Sequence, residues 1–272
     1  MSSVISLYTH QGKAITDADF LAALRSLDVA PGDILFVQSD VRSFGRLAVS
    51  RAEVLLGALV DIFEKSVGKS GTIIMPTFSF SFGANKNNLF DMEKTRSTAG
   101  SLTEYFRQLP SVVRTAQPMM SVAVWGAGTN KIIDIGKDTF GKKSVLDNLL
   151  KEKGKIVMFG TDFSVCTFLH YVEQMQTVPY RFMKTFTGTI IDHGRSREES
   201  VQYYARPLDA PDEKDFNRVV PHLRKKNLLH EVGIGSGSIS VVSAVDLFDV
   251  AITLLQNDPY ALLKRVPKKN ET

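Results

Sequence analysis

Three short apolar runs constrain the fold of this chain most tightly: Ile34-Leu35-Phe36-Val37, Thr72-Ile73-Ile74-Met75-Pro76 and Lys155-Ile156-Val157-Met158-Phe159-Gly160. Each has the length of a strand rather than a helix, and their near-continuous apolar character is that of strands covered on both faces. A helical stretch separates the first two. Ser50 stands at its N-cap with Glu53 in the capping-box position, and Val54, Leu55, Leu59, Ile62 and Phe63 form its apolar face. Gly68 to Gly71 then break it before the next strand. Residues 34–76 thus read as a βαβ unit, and the right-handed crossover rule makes its two strands parallel.

The remaining elements extend this α/β pattern. Thr16 precedes the helical spacing of Phe20, Leu21 and Leu24, and Pro31-Gly32-Asp33 turns the chain into the first strand. Residues 77–98 carry Phe, Ser, Gly and Asn without periodicity, as expected of a long functional loop covering a site. Ser101 to Phe106 reads as a helix, Ser121 to Trp125 as a strand and Ser144 to Leu150 as another helix. The alternation across 186–204 predicts antiparallel hairpins, and Ser243 to Leu255 and Pro259 to Leu263 have helical spacing after the Gly233–Gly237 loop. Only Met1–Ser3 and the basic tail Lys264–Thr272 look loose.

Composition narrows the function classes. A length of 272 residues supports a substantial core in a single domain spanning 1–272, with no need of disulfide or metal staples. The net charge of +4 is mild and its Lys and Arg are scattered, which argues against a nucleic-acid partner. Cys166 is the sole cysteine, so no intrachain disulfide or cysteine-rich zinc site can form, and His10, His193, His222 and His230 lack metal-ligand spacing. No apolar run approaches the ~20 residues needed to span a bilayer, and no signal-peptide pattern opens the chain. A cytoplasmic protein with no metal and no membrane partner is expected.

The chemistry centres on His170 and Glu173. At spacing i, i+3 on a helix beginning near Cys166 they share one face beside the end of the 155–160 strand, where polar chemistry collects in open α/β sheets. Such a carboxylate can orient the imidazole and stabilise its protonated form, though the same spacing also suits an ordinary helix-surface pair or a satisfied core histidine. The segment Gln38-Ser39-Asp40-Val41-Arg42-Ser43-Phe44-Gly45 follows the first strand directly. It reads either as a phosphate-binding loop or as a solvated turn with side-chain caps. Gly233-Ile234-Gly235-Ser236-Gly237 has the same two readings and matches no nucleotide motif. Arg114, Thr77, Asp91 and Asp162 are candidates for ligand contact or for turn and loop structure, and Cys166 reads as a small buried hydrophobe.

In order along the chain, these segments resemble the aminoglycoside 3-N-acetyltransferase, or antibiotic N-acetyltransferase, family. The resemblance rests on Val37-Gln38-Ser39-Asp40 with Phe44-Gly45, on Gly71-Thr72-Ile73-Ile74-Met75-Pro76-Thr77-Phe78-Ser79, on Arg114-Thr115-Ala116-Gln117-Pro118-Met119-Met120-Ser121 and on Thr167-Phe168-Leu169-His170-Tyr171-Val172-Glu173. Gly235 and Asn257-Asp258-Pro259-Tyr260-Ala261-Leu262-Leu263 extend it to the family's last helices. It implies an α/β fold: a mixed central β-sheet flanked by helices, with a small antiparallel sheet in the C-terminal half. It also implies acetyl-coenzyme A as co-substrate, an amino sugar as acceptor, and direct transfer with His170 and Glu173 as the catalytic pair.

Within that resemblance, Ser39, Asp40, Val41, Arg42, Ser43, Phe44, Gly45, Thr77, Arg114, Ser144 and Gly235 are expected to form the coenzyme cleft. Thr77, Phe78, Asp91, Asp162 and Thr167 are expected at the acceptor, with Thr77 or Thr167 at the oxyanion. The family often carries His where this chain has Gln38 and Gln117. The region 77–120 holds few carboxylates besides Asp91, Glu93 and Glu104, which favours an acceptor less cationic than an aminoglycoside, such as a nucleotide-linked amino sugar. A Ser/His/Glu hydrolase would need an elbow motif that the chain lacks. A coenzyme-binding protein without turnover would bind acetyl-coenzyme A yet be indifferent to His170. Oligomeric state is left open by the sequence.

Overall fold

A computed structural model describes residues 4–84, 87–208 and 213–264. Met1–Ser3 and all of the basic tail after Lys264 lie outside the described residues. The main sheet has seven strands, in the spatial order His230–Ile234, Gly237–Ser243, Lys155–Phe159, Ile34–Ser39, Thr72–Pro76, Val122–Gly126 and Val113–Arg114. Ile34–Ser39 is parallel to both of its neighbours, and the remaining pairings are antiparallel. The sheet is therefore mixed.

The strand alternation explains the two layers that cover this sheet. Leu35 and Val37, Ile73 and Met75, and Val157 and Phe159 face one side, where they pack against the helices Asp17–Ser26 and Ala52–Val67. Phe36, Ile74, Ile156 and Met158 face the other, against Val145–Lys151, Phe168–Gln176 and Ala244–Asn257. Fully burying one such aliphatic or aromatic side chain is worth about 1.5–3 kcal/mol, so either layer is a major source of stability. A long hairpin, Phe182–Asp192 with Arg195–Ala205, forms a separate sheet with Leu89–Asp91.

Several local expectations are corrected. The second helix begins at Ala52 with Arg51 as N-cap and no side-chain cap, so Ser50 and Glu53 form no capping box there. Val54 is exposed, and Leu56 and Val60 join Leu55, Leu59, Ile62 and Phe63 on the buried face. A capping box does form at Thr16, which exchanges hydrogen bonds with Asp19. The Gly233–Gly237 segment is the tight turn of a β-hairpin rather than an open loop. Pro259–Leu263 is not a helix. It turns after Asp258, and Leu263–Lys264 pairs with Glu213–Lys214.

Candidate active site

Because Ile34–Ser39 runs parallel to Thr72–Pro76 and to Lys155–Phe159, the carboxyl ends of all three strands lie along one edge of the sheet. A cavity of about 750 Å³ opens at that edge. Its walls are Gln38–Arg42 after the first strand, Pro76, Phe78 and Phe80 after the second, and Thr161, Val165, Thr167 and His170 after the third. Residues 98–102, Met120 and Lys214 complete it. Ligand crevices of open α/β sheets occupy this position.

The loop after the first strand is firmly built. Asp40 N–H donates to Phe159 O at 2.9 Å, Arg42 N–H to Asp40 Oδ1 at 3.0 Å, and Ser43 N–H to Asp40 O at 3.3 Å. Three of the amides expected to meet a phosphate are thus already used, two inside the loop and one on the neighbouring strand. The Tyr8 hydroxyl donates to Val41 O at 2.7 Å, and the Ser43 hydroxyl donates to Gly160 O. Phe44 is wholly buried, its ring 4.6 Å from Phe159 and 4.9 Å from Phe20. Gly45 has φ +146°, and a Cβ there would lie 2.6 Å from Thr9 O. Gly235 backs the same loop: with φ +60°, its position admits no Cβ, which would fall 2.0 Å from Phe44 O. Ser39, Asp40, Val41 and Arg42 line the cavity; Ser43, Phe44, Gly45 and Gly235 hold that rim from behind.

His170 and Glu173 lie one turn apart on the Phe168–Gln176 helix. His170 Nδ1 is 2.7 Å from Glu173 Oε2, and the carboxylate is completely buried. Glu173 Oε1 accepts from the Tyr180 hydroxyl at 2.9 Å. Arg181 Nε lies 2.9 Å from Oε2 as a charge pair, although its N–H is not aligned for a hydrogen bond. The imidazole is held between the rings of Phe140 and Phe216, 5.1 and 5.0 Å away, and lines the cavity. A carboxylate at Nδ1 places the ring hydrogen there and leaves Nε2 as the lone-pair nitrogen.

Burial pushes the His170 pKa below its ordinary value, and the nearby charges of Arg181 and Lys214 act in the same direction against the opposing pull of Glu173. The ring is therefore neutral at pH 7. For Glu173, burial favours the protonated form, but hydrogen bonds and charges from His170, Arg181 and Tyr180 outweigh it, so the group stays ionised. The pair is a neutral imidazole beside a fixed carboxylate.

The other residues singled out from sequence divide sharply. Thr167 lines the cavity, and Gln38 holds it at both ends: Thr167 N–H donates to Gln38 Oε1 at 3.0 Å, and Gln38 Nε2 donates to Thr167 Oγ1 at 3.1 Å. Phe78 is also in the wall. Thr77 is buried away from it, with its hydroxyl 3.0 Å from Ser121 Oγ and its carbonyl accepting from Arg114 Nη2 at 2.8 Å. Arg114 further donates to Met92 O and Thr95 O and stacks 4.8 Å over Phe90, which pins the 77–98 connection. Ser144 caps its helix by accepting from Asp147 N–H. It borders a water-sized void behind Phe78 and Thr167. Asp91 and Asp162 cap turns through Lys94 N–H and Ser164 N–H, both at 2.9 Å, and neither lines the cavity.

Gln38 lies in the site, as the resemblance implied, whereas Tyr180, Arg181 and Lys214 were not expected there. Lys214 Nζ donates to Ser164 O at 2.8 Å and lies 4.9 Å over the Phe216 ring. Among the described residues, the charged side chains in the wall are Arg42, Lys214 and Asp40, and Asp40 is already paired with Arg42 at 3.1 Å. No described helix is long and apolar enough to cross a membrane, and no described cluster of His, Cys, Asp or Glu could hold a metal ion.

The sequence profile of the aminoglycoside 3-N-acetyltransferase family matches residues 36–256. The chain is 26% identical over 249 residues to aminoglycoside N(3)-acetyltransferase IV of Salmonella sp, a match covering 90% of this chain and 89% of that one. It is also 26% identical over 194 residues to the SPbeta prophage-derived aminoglycoside N(3')-acetyltransferase-like protein YokD of Bacillus subtilis, covering 63% and 69%. Among solved structures, AAC-IIIb in binary complex with CoASH aligns with a TM-score of 0.78 at 21% identity, covering 89% of this chain and 97% of the other. The AAC(3)-IVa apoenzyme aligns at 0.75 with 23% identity and 93% of both chains covered. These structures share the fold, and the profile spans the strands, the rim loop and the His170–Glu173 helix together. The chain belongs to the aminoglycoside 3-N-acetyltransferase family of acyltransferases.

Proposed function

We propose that this enzyme transfers the acetyl group of acetyl-coenzyme A directly to a primary amine of an amino sugar, with His170 as general base and Glu173 as its orienting partner. The observation that carries this proposal is an imidazole lining the cavity with Nδ1 2.7 Å from a buried carboxylate, an arrangement that leaves Nε2 for a ligand. Nε2 takes a proton from the amine as nitrogen attacks the thioester carbonyl carbon. The C–S bond then breaks, and the departing thiolate recovers that proton from the imidazolium. We assign the developing oxyanion to the Thr167 hydroxyl, which accepts from Gln38 Nε2 and would turn to it from a long 3.4 Å contact with Val165 O. The coenzyme phosphates lie against the Ser39–Arg42 rim.

The charge of the wall supports a particular acceptor. A polycationic aminoglycoside would be favoured by several free carboxylates, whereas this wall offers Asp40, already neutralised by Arg42, together with the ammonium of Lys214. An amino sugar of low positive charge, nucleotide-linked in the preferred form, fits better than an aminoglycoside. The test is release of coenzyme A thiol with a panel of nucleotide-linked amino sugars and aminoglycosides. Turnover confined to aminoglycosides would reverse the choice of acceptor. No turnover with any amine would defeat the activity.

A further inference from the structure

Arg181 reaches the catalytic pair from outside the helix that carries it, beyond the left-handed Thr177 that ends the helix. Its side chain is 6% exposed and Nε lies 2.9 Å from Glu173 Oε2. Nη2 is 3.0 Å from His170 Nδ1, a contact of charge rather than a hydrogen bond when the ring hydrogen sits on Nδ1 and points to Glu173, and Nη1 donates to Tyr204 O at 3.2 Å. One carboxylate oxygen therefore serves both the imidazole and the guanidinium. Around His170, Glu173 on the same helix is the one anion among the described groups; Arg181 and Lys214 are cations, Tyr180 and Tyr203 are neutral phenols, and Phe140 and Phe216 are apolar.

We propose that Arg181 is the positioning residue that holds the resting pair as a neutral imidazole beside a carboxylate, keeping Nε2 free of hydrogen at neutral pH. This rests on His170 being the base. A carboxylate sealed from water without a fixed cation has two alternatives. It can draw a proton onto the ring, giving a carboxylate–imidazolium pair, or it can take up the proton itself and donate to Nδ1. In the first case Nε2 carries a hydrogen because the ring is doubly protonated; in the second, because the tautomer has switched. Neither form can accept a proton from an amine. A guanidinium does not titrate in the working range, so it removes both alternatives at once.

The test is the pH profile of kcat/KM, read by thiol release, for the wild type, Arg181→Gln and Arg181→Lys. In Arg181→Gln the acid limb moves up by about one pH unit or more, with much of the rate recovered on the alkaline plateau; Arg181→Lys keeps the limb near its wild-type place. A lowered plateau with the limb unmoved is the mark of a merely structural ion pair and would overturn the proposal. Should Arg181→Gln not fold, the wild type still decides. Nitrogen-15 spectra of the five histidines, with His170 assigned by its loss in His170→Ala, must show a neutral ring with hydrogen on Nδ1 at pH 7. An imidazolium or the Nε2–H tautomer contradicts it. Turnover that survives in His170→Ala would instead remove the underlying assignment of the base.

Discussion

Replacing Glu173 by Gln keeps the size of the side chain and an acceptor for His170 Nδ1 but deletes one buried charge. With Nδ1 and Oε2 2.7 Å apart, the charge centres of carboxylate and imidazolium lie about 4 Å from one another; at an effective dielectric constant of about 20 their attraction is ~4 kcal/mol. The amide dipole retains part of it, so the loss in the transition state falls between about 2 and 4 kcal/mol, or roughly 30- to 1000-fold in kcat. Arg181, deprived of its counter-charge, lowers the imidazole pKa further, and the acid limb of the rate profile moves down, opposite to the shift in Arg181→Gln. Breaking a buried pair also costs about 3–5 kcal/mol of stability, so the assay is run well below the melting temperature. Steady-state thiol release gives kcat, and calorimetry gives the affinity for acetyl-coenzyme A, which should not change. Wild-type kcat in folded Glu173→Gln would refute the electrostatic role assigned to the carboxylate.

Other outcomes follow from the same geometry. Burial holds the His170 pKa below its ordinary value of 6.5, so activity persists at pH 7 and is lost as pH falls through the lowered pKa. The unfolded chain binds that proton at higher pH than the folded one. The stability owed to the neutral buried ring is thus present above about pH 6.5 and declines below it, which denaturant titrations at two pH values will register. Gly235→Ala places a Cβ 2.0 Å from Phe44 O at φ +60°, and should cost about 1–3 kcal/mol of stability and raise the KM for acetyl-coenzyme A as the rim shifts; thermal melts and initial rates check both. Lys214→Glu reverses the charge of one wall and should shift relative kcat/KM toward aminoglycosides by about tenfold in a competition assay.

Much of the architecture was legible because continuous apolar runs have few places to go. The runs at 34, 72 and 155 had to be sheet interior, and the helical segment between the first two forced a parallel pair. Helix ends were harder to read. Arg51 rather than Ser50 occupies the cap, against the usual N-cap preference for Ser, so the local sequence points one residue too early. At Pro259–Leu263 the buried Leu262 and Leu263 satisfy the core from a turn and a short strand as well as a helix would have done. In the site, His170 and Glu173 stood out because both lie on one helix at a readable spacing. Arg181, Tyr180 and Lys214 come from other segments and meet the pair only through tertiary packing, so no periodicity announces them. Conversely, the polar side chains of Thr77, Arg114, Asp91 and Asp162 have their hydrogen bonds met by the loops they organise, a partnership that spacing alone does not disclose.

The most direct measurement is single-turnover acetyl transfer by folded His170→Ala, preloaded with acetyl-coenzyme A and mixed with whichever amine the thiol-release panel shows the wild type to acetylate. Coenzyme affinity should match the wild type, while transfer slows by ~2–4 orders of magnitude, as expected when a general base is removed. Transfer at the wild-type rate would mean that the proton leaves by another route, and that the imidazole lining this cavity is not its base.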